Sequence, residues 1–377
     1  MSLIRIIRFS MDYNKRIYGL DVYRAVAIIL VVLTHGTYML KGTLLEDFPW
    51  IKLTDGVELF FVLSGFLIGG ILLKIIHKNN YKLKLKDISN FWKRRWFRTL
   101  PNYYLILLVN VFFVKFAIID GDFTQFNFKF FLFLQNFSQP FIGFFWESWS
   151  LSIEEWFYII TPLCIFLILK LFPSKHGILI VILILIIFPL IYRITQSSEQ
   201  VDFFWWDNKF RKVVIMRLDT IIYGVLAAWV KFYYDSFWKK YTLPLFILGL
   251  VIIEGTLYIP KGPNDFFAKT FFFNCITIGA MFLLPYADSI KRFKTYFGKA
   301  MTHISLISYS MYLINLSCVV QLINKNFPIT SPADGSIKYA IFWFTVIVSG
   351  SLLYYFFERP MMNLRDKKFS VKKLFGY

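Results

Sequence analysis

The first long apolar run of the chain, residues 19–36, carries side chains that could do chemistry. It contains Asp21, Arg24 and His35 in a stretch that is otherwise apolar enough to cross a bilayer. An ionisable side chain in a membrane span is costly and is a functional hypothesis by default. Arg24 and His35 are eleven residues apart, so at about 100° and 1.5 Å per residue they lie near one helix face, about 16 Å apart. One face therefore carries a permanent cation and an imidazole that titrates near neutral pH.

The rest of the sequence is that of an integral membrane protein. Of its 377 residues, 57% are hydrophobic and only 17% are charged, whereas a soluble chain carries about 25% charged residues. Apolar runs of span length recur from one end to the other. The formal net charge of +19 does not indicate a nucleic-acid partner, because the basic residues cluster in short loops between apolar runs, where they orient membrane proteins. No spacing typical of a metal site, a nucleotide-binding loop or a serine nucleophile is present.

The sequence predicts an all-α fold, a polytopic bundle of about ten transmembrane helices. Each span needs about 20 predominantly apolar residues. Asn, Gln, Lys and Pro residues interrupt the aromatic segment 126–146, so a span, a re-entrant piece and an interfacial segment stay open for it. It is left out of the count, because as a full span it would reverse every later loop and place two basic clusters and the tail outside. The predicted spans are 19–40, 56–77, 101–120, 149–171, 176–195, 212–233, 241–259, 266–287, 301–324 and 337–357.

Lysine and arginine residues in the connecting loops predict the orientation of the bundle. With 126–146 excluded, the N-terminal segment 1–18, the loop 77–100 and the basic tail 358–377 lie on one side, and the acidic loops lie on the other. Because basic loops stay in the cytoplasm, we expect both termini to be cytoplasmic and the protein to lie in the cytoplasmic membrane. No internal repeat is visible, so residues 1–377 are predicted to form a single membrane domain.

This orientation gives the polar residues of the spans a depth. At the inner face lie Arg24 and, just before the third span, Arg94, Arg95 and Arg98. Arginine forks suit bidentate phosphate binding. The sequence therefore predicts a polar conduit with an anion receptor inside and a histidine–carboxylate cluster outside, which fits a reaction whose donor and acceptor meet within the membrane. The polar residues toward the outer face are His35, Glu58, Trp149, Ser152, Glu154, Glu155, Arg217, Asp219 and Asn315.

Structural roles are open for the same residues. Basic residues before a span often anchor topology or contact lipid headgroups. Glu154 and Glu155 could complement a helix dipole, and Arg217 with Asp219 could form a structural pair. A lone His35 at a span end would be structural as often as catalytic, and Arg24 on the same face is what favours a functional role.

Seven motifs, found in order along most of the chain, make it similar to the integral-membrane acyltransferase-3 family, bacterial O-acyltransferases that modify cell-surface sugars. Each string alone is weak, and the ordered set is specific. The motifs are Leu20-Asp-x-x-Arg24 with Arg24-x10-His35, Gly56-Val-Glu-Leu-Phe-Phe-Val-Leu-Ser-Gly-Phe-Leu67, Arg95-x-x-Arg98, Trp149-Ser-Leu-Ser-Ile-Glu-Glu-Trp-Phe-Tyr158, Arg217-Leu-Asp219 with Gly224, Ser308-Tyr-Ser-Met-Tyr-Leu313 and Phe357-Glu-Arg-Pro360.

The resemblance implies an acyl-CoA donor, most often acetyl-CoA, bound from the cytoplasm. Its phosphates would be held by the arginines that match Arg95 and Arg98, to which we add Arg94, and its thioester would reach the histidine that matches His35. Two positions differ from the family pattern: Trp156 stands where a Gln is common, and Asn315 stands where a His is common. Asparagine cannot shuttle a proton, so a mechanism that needs a second histidine is in doubt here.

The predicted function is metal-free transfer of an acyl group, in the first instance acetyl, from acyl-CoA to a hydroxyl of a surface glycan or its lipid-linked precursor. His35 would be the general base or carry a transient acyl group, and Glu154 or Glu155 would orient it. Arg24 would stabilise developing charge or grip the phosphate–pantetheine arm. The residues predicted to contact the acceptor are Glu58, Trp149, Ser152, Arg217, Asp219 and Asn315.

Two other function classes stay open at the level of sequence. A transporter or flippase of a lipid-linked saccharide would use the same conduit, although no inverted repeat or matched pair of broken helices supports it. A structural partner of a polysaccharide synthase would leave Arg24 and His35 unexplained.

Overall fold

The fold is that of a computed structural model, which describes residues 17–43, 46, 56–259, 261–291, 295–327 and 329–364. Residues 1–16 of the predicted N-terminal segment and residues 365–377 of the predicted tail lie outside these ranges. Within them the chain forms helices and no strand, which confirms the predicted all-α class.

In the described ranges ten helices of 17 residues or more follow one another, each overlapping a predicted span. Two of them continue beyond a π-helical turn: the ninth through Asn315–Val320 into Gln321–Asn326, and the tenth through Tyr354–Glu358 into Arg359–Leu364. The helices are α1 Tyr18–Gly36, α2 Gly56–Lys78, α3 Leu85–Lys115, α4 Ser148–Leu171, α5 Lys175–Gln196, α6 Val214–Tyr233, α7 Thr242–Tyr258, α8 Phe271–Ser289, α9 Tyr296–Ile314 and α10 Pro332–Leu353.

The lengths of these helices confirm a multi-pass membrane bundle. In the described ranges eight helices are long and apolar enough to cross a membrane, and a ninth span results if α6 is joined to Phe203–Arg211, from which it bends by 58°. The remaining predicted span is α7, whose 17 residues rise about 26 Å, slightly less than the roughly 30 Å of a hydrocarbon core.

Helix α3 begins well before the predicted third span. The loop predicted at 77–100 is helical from Leu85, and the backbone amide of Lys84 donates to Asp87 at 3.1 Å to cap the start. The helix then runs through Pro101 for 31 residues, a rise of about 46 Å, which exceeds the thickness of a hydrocarbon core. The arginines predicted to lie in a loop are therefore fixed on the surface of a helix.

The aromatic segment that the sequence analysis left open is not a spanning helix. It consists of short 3-10 turns, Phe123–Gln125 and Phe128–Phe131, and of irregular backbone up to α4. Its backbone is paired with the chain before α6 and with the first residue of that helix: the amide of Phe141 donates to Asn208 at 2.9 Å, and the amide of Val214 donates to Asn136 at 2.9 Å. Irregular backbone at membrane depth is tolerated where protein buries it, which agrees with leaving this segment out of the span count.

Helices α2 and α6 are in backbone contact beside the site. A Cβ atom on Gly65 would lie 1.8 Å from the carbonyl oxygen of Ile221, and one on Gly224 would lie 2.0 Å from that of Val62. Small residues let membrane helices approach to backbone contact. Gly69, one turn further along α2, also faces α6, because a Cβ atom on it would lie 3.0 Å from the Cα atom of Val225.

We expect Gly65→Ala to lower the stability of the bundle by about 1–3 kcal/mol, the usual cost of overpacking. Gly70→Ala is the matched control on the same helix, because no atom lies within 4 Å of the added Cβ. Thermal unfolding of both variants in detergent measures the difference. Equal melting temperatures for the two variants would contradict backbone contact between α2 and α6.

Candidate functional site

His35 is hydrogen-bonded to an asparagine from another helix. It lies half-buried at the end of α1, and its Nδ1 contacts Oδ1 of Asn315. The amide nitrogen of Asn315 donates to the carbonyl oxygens of Met311 at 3.1 Å and Tyr312 at 2.7 Å. Those acceptors assign the nitrogen end of the amide, so the atom that faces His35 is an oxygen, which can only accept. Nδ1 therefore carries the proton of the neutral ring, and Nε2 is left with a free lone pair.

Two cations approach His35 from the chain before α6. Arg211 and Lys212 both act on the imidazole electrostatically. Arg211 lies over the indole of Trp149, 5.2 Å from the ring centre. Asp207 forms ion pairs with Arg211 at 2.8 Å and with Lys212 at 2.5 Å. Neither cation was predicted to lie at the site, because both precede α6, which bends by 58° from the short helical segment Phe203–Arg211.

The predicted anion receptor is assembled around two adjoining cavities. A cavity of about 100 Å³ lies between α1, α2, α3, α4 and α9, and a second, of about 720 Å³, shares part of its wall. Arg24, Arg95 and Arg98 line both cavities, and Lys74 and Lys231 line the larger one. The larger volume lies in the range of about 300–1,000 Å³ that is typical of small-molecule sites.

Arg94 faces a third cavity beside the first two. This cavity of about 430 Å³ is lined by Arg94, Arg95 and Arg98 together with Asp87. Residues 94, 95 and 98 lie within about one turn of α3, so their side chains line neighbouring cavities. The structure therefore brings together all four arginines predicted for the donor side.

Glu154 and Glu155 make their hydrogen bonds at the arginine end of the site. Glu154 lines the 100 Å³ cavity with Arg95 and accepts a hydrogen bond from the hydroxyl of Tyr158 at 2.9 Å. Glu155 is buried and accepts from the hydroxyl of Thr99 at 2.7 Å. Neither bond involves His35, whose described partner is Asn315. An orienting role for either glutamate stays a prediction.

Two of the predicted acceptor-binding residues form a buried ion pair. Arg217 on α6 contacts Glu58 on α2 at 2.6 Å, with their side chains 0% and 5% exposed. The guanidinium of Arg217 also lies over the ring of Phe273, 4.0 Å from its centre. The pair therefore joins α2 and α6 beside the glycine contact.

Asp219 pairs with Arg193 of α5 rather than with the nearby Arg217. The distance is 2.7 Å, and both side chains are buried. Asn274 of α8 donates to Asp219 at 3.0 Å and accepts from Arg193 at 2.6 Å. This network ties α5, α6 and α8 together. Arg193 was not among the predicted site residues, since an arginine near the end of a predicted span is a common topological anchor.

Trp149 and Ser152 are packed against the irregular segment before α4. The carbonyl of Trp149 accepts from the side chain of Asn136 at 3.0 Å, and its buried indole lies edge-on to Phe61. The hydroxyl of Ser152 accepts from Gln135 at 2.7 Å. Both residues hold the segment against the start of α4, and acceptor binding by either stays a prediction.

A buried carboxylate that the sequence analysis did not assign lies beside Asn315. Glu147, the residue before α4, accepts from the backbone amides of Leu316 at 2.9 Å and Ser317 at 2.8 Å, and from the hydroxyl of Ser317. The two segments are 170 residues apart in sequence. No local pattern could have indicated this contact.

Glu358 is a second carboxylate without a predicted role. It is buried in the turn after α10, accepts from Asn102 at 3.0 Å and from Ser310 at 2.6 Å, and lines the 720 Å³ cavity with Arg24. Its motif, Phe357-Glu-Arg-Pro360, was part of the family resemblance, which was the available signal.

The site thus has two ends with different chemistry. At one end Nε2 of His35 can accept a proton, and at the other a group of guanidinium groups can hold an anion. In the described part of the chain, no group of three or more His, Cys, Asp or Glu residues is placed to hold a metal ion.

Comparison with known proteins gives a consistent set of matches. The family model described as "Acyltransferase domain" matches residues 17–359. The chain is 27% identical over 392 residues to "Putative O-acetyltransferase SACOL0978" of Staphylococcus aureus strain COL, covering 92% of this chain and 58% of that protein. It is 26% identical over 393 residues to "O-acetyltransferase OatA" of Staphylococcus aureus strain NCTC 8325, covering 96% and 60%. The chain spans about three fifths of the length of these relatives. No solved structure gave a match.

We expect Glu58→Ala and Arg217→Ala each to destabilise the protein by about 3–5 kcal/mol, because each leaves a buried charge without its partner. The double variant should lose clearly less than the sum of the two, since it removes the pair together. Unfolding of the four proteins in detergent measures the cycle. Strictly additive losses would show that the ion pair does not couple α2 to α6.

Proposed function

The chain belongs to the acyltransferase-3 family, and from that premise we propose that it is an acyl-CoA-dependent O-acyltransferase of the cytoplasmic membrane. The donor is acetyl-CoA from the cytoplasm. The acceptor is a sugar hydroxyl of a cell-surface polysaccharide or of its lipid-linked precursor. A relative that bears the name O-acetyltransferase supports acetyl as the group and oxygen as the accepting atom.

The observation that carries this proposal is the orientation of Asn315. Its oxygen faces Nδ1 of His35, and its nitrogen is engaged by two backbone carbonyls. The neutral imidazole therefore presents an unprotonated Nε2, which is the form a general base requires. Asn315 thus supplies the acceptor that orients the ring, and no second histidine is needed for this step.

The transfer balances with His35 as the proton carrier. The acceptor oxygen attacks the thioester carbonyl carbon as Nε2 of His35 takes the hydroxyl proton. The new C–O bond forms, the C–S bond breaks, and the proton passes from His35 to the leaving thiolate, giving an acetyl ester and free CoA. Arg211 and Lys212, which act electrostatically on His35, supply positive charge where negative charge develops.

The donor side rests on the arginine-lined cavities. Arg95 and Arg98 bind the phosphates of CoA, since guanidinium groups suit bidentate contacts with phosphate. Arg24 lies about 16 Å from His35 along α1, too far to contact an oxyanion there. Of the two roles open to Arg24 we therefore prefer a grip on the phosphate–pantetheine arm. The 720 Å³ cavity provides space for that arm.

Tyr312 lies between the two ends of the site. Its side chain lines the 100 Å³ cavity, and its carbonyl accepts from Asn315 at 2.7 Å. The hydroxyls of Tyr312 and Ser150 bond each other at 2.5 Å at the cavity wall, and His35 is not part of that wall. We propose that Tyr312 turns aside to admit the thioester to His35.

The basic residues support a cytoplasmic entrance for the donor. Lys74, Lys231 and the arginines of α3 line the larger cavities, and positively charged segments stay in the cytoplasm. His35 is at the opposite end of α1 from Arg24 and therefore lies toward the outer leaflet, where the glycan acceptor is reached. Both chain termini are then cytoplasmic.

We expect His35→Ala to reduce kcat about 10²–10⁴-fold, the range lost with a general base, with little change in KM for acetyl-CoA. Arg95→Ala should mainly raise KM for acetyl-CoA, about tenfold for each 1.4 kcal/mol of lost binding. Purified protein in detergent, with CoA release measured in the presence of a hydroxyl acceptor, separates the two effects.

His77→Ala is the matched control, because this histidine lies at the end of α2 against Tyr81 and Phe232. It should keep wild-type turnover. Near-normal turnover of His35→Ala would refute the assignment of the base. Translocation of a lipid-linked saccharide in proteoliposomes without CoA release would instead identify a transporter.

A further inference from the structure

The regular backbone hydrogen bonds of α9 are interrupted at Asn315, where the π-helical turn begins, and the side chain of Glu147 lies at this break. In a regular α-helix, the amides of Leu316 and Ser317 would bond the carbonyls four residues earlier. Here both donate to the carboxylate of Glu147, at 2.9 and 2.8 Å, and the chain passes into a π-helical segment. Such segments arise where a side chain takes over part of the helix ladder.

The side chain of Asn315 takes over a carbonyl near the same break. The carbonyl of Tyr312, the regular acceptor for the amide of Leu316, receives Nδ2 of Asn315 at 2.7 Å. Glu147 thus takes the amide of Leu316, and the side chain of Asn315 takes the carbonyl of Tyr312 that this amide would otherwise bond. The orientation of the Asn315 amide therefore depends on the amide of Leu316 being held elsewhere.

We propose that Glu147 is a positioning residue: its carboxylate holds the break open, fixes the amide of Asn315, and thereby keeps the proton of His35 on Nδ1. The catalytic importance of this role rests on the proposed function, in which Nε2 of His35 is the base. The effect on the imidazole itself does not depend on the reaction.

A carboxylate is suited to this position. Backbone N–H groups at the start of a helical segment attract negative charge. The hydroxyl of Ser317 donates a further hydrogen bond to the carboxylate of Glu147. Burial raises the pKa of Glu147 to about 7, against the opposing effect of these hydrogen bonds. Measurements at pH 8 therefore address the ionised form.

Loss of the carboxylate should close the break. The amide of Leu316 then competes with Asn315 for the carbonyl of Tyr312, and the amide of Asn315 can turn its nitrogen toward His35. A donor at that place requires an unprotonated Nδ1, so the proton moves to Nε2 and the base is lost. The hydroxyl pair of Ser150 and Tyr312 still joins α4 to α9, so the variants should fold.

The direct test is ¹⁵N NMR of histidine-labelled protein in detergent at pH 8. The chain has four histidines, and subtraction of the His35→Ala spectrum isolates the signals of His35. We expect the Nδ1–H tautomer in the wild type and a shift toward Nε2–H in Glu147→Ala and Glu147→Gln. Glu147→Asp, which keeps the charge, should be closest to the wild type.

Kinetics supply the second readout. Glu147→Ala should lower kcat about 100-fold, as misplacement of a catalytic group does, without raising KM for acetyl-CoA. Glu199→Gln is the control, because this carboxylate pairs with Lys209 and is 48% exposed; it should change neither constant. If Glu147→Ala fails to fold, Glu147→Gln and Glu147→Asp decide the matter.

The outcomes separate this inference from the proposed function. Wild-type transfer with an unchanged tautomer and kcat in the Glu147 variants would overturn the positioning role alone. A lowered kcat with an unchanged tautomer would also overturn it. A shifted tautomer in a protein that transfers no acetyl group would uphold the positioning role and refute the function.

Discussion

Polar groups inside a membrane bundle must find partners, and at His35 that requirement selects the chemistry of the ring. An unpaired buried donor or acceptor costs about 1–3 kcal/mol, and apolar surroundings offer no water to replace a lost partner. Asn315 satisfies two carbonyls of its own helix and has only an oxygen left for His35. The tautomer of the neutral imidazole is thus decided by the geometry of α9, a helix distant from His35 in sequence.

The same requirement explains why several candidate acceptor residues are buried in ion pairs. Arg217 and Glu58 neutralise each other between α2 and α6, and Arg193 and Asp219 do so between α5 and α6. An isolated charge in this environment would be strongly unfavourable. These pairs, with the backbone contact at Gly65, hold the helices whose ends carry the site. The family motifs contain Glu58, Arg217 and Asp219, and their ion pairs give these three residues a structural role beside the predicted contact with an acceptor.

Much of the fold followed from local patterns. Length and hydropathy of the apolar runs predicted the helices, and the distribution of lysine and arginine residues among the loops rightly removed 126–146 from the spans. The start of α3 was missed because a basic stretch looks like a loop on a hydropathy scale, whereas the capping at Lys84 and Asp87 and the tolerance of Pro101 depend on the folded helix. The eleven-residue spacing of Arg24 and His35 predicted their common helix, which is local information.

The connections across the site were not predictable in this way. Asn315 was recognised as unusual, but its contact with His35 joins residues 280 apart. Glu147 carries no motif of its own, and the packing of α4 against α9 alone gives it partners. The link from Glu154 or Glu155 to the imidazole rests on charge and on depth along the membrane normal. It stays a prediction, because depth does not specify which side chains are neighbours.

The length of helix α1 also limits which acyl donors can react. A Cβ on Gly19 would lie 1.6 Å from the carbonyl oxygen of Ala287, and one on Gly36 would lie 2.7 Å from the ring of Tyr339, so both ends of α1 are packed tightly against neighbouring helices. If the proposed function holds, the donor must span the distance between Arg24 and His35, which the length of α1 fixes, from its phosphate to its reactive carbonyl. Acetyl phosphate, in which the two groups are adjacent, would be rejected by length alone, however well its charge were bound.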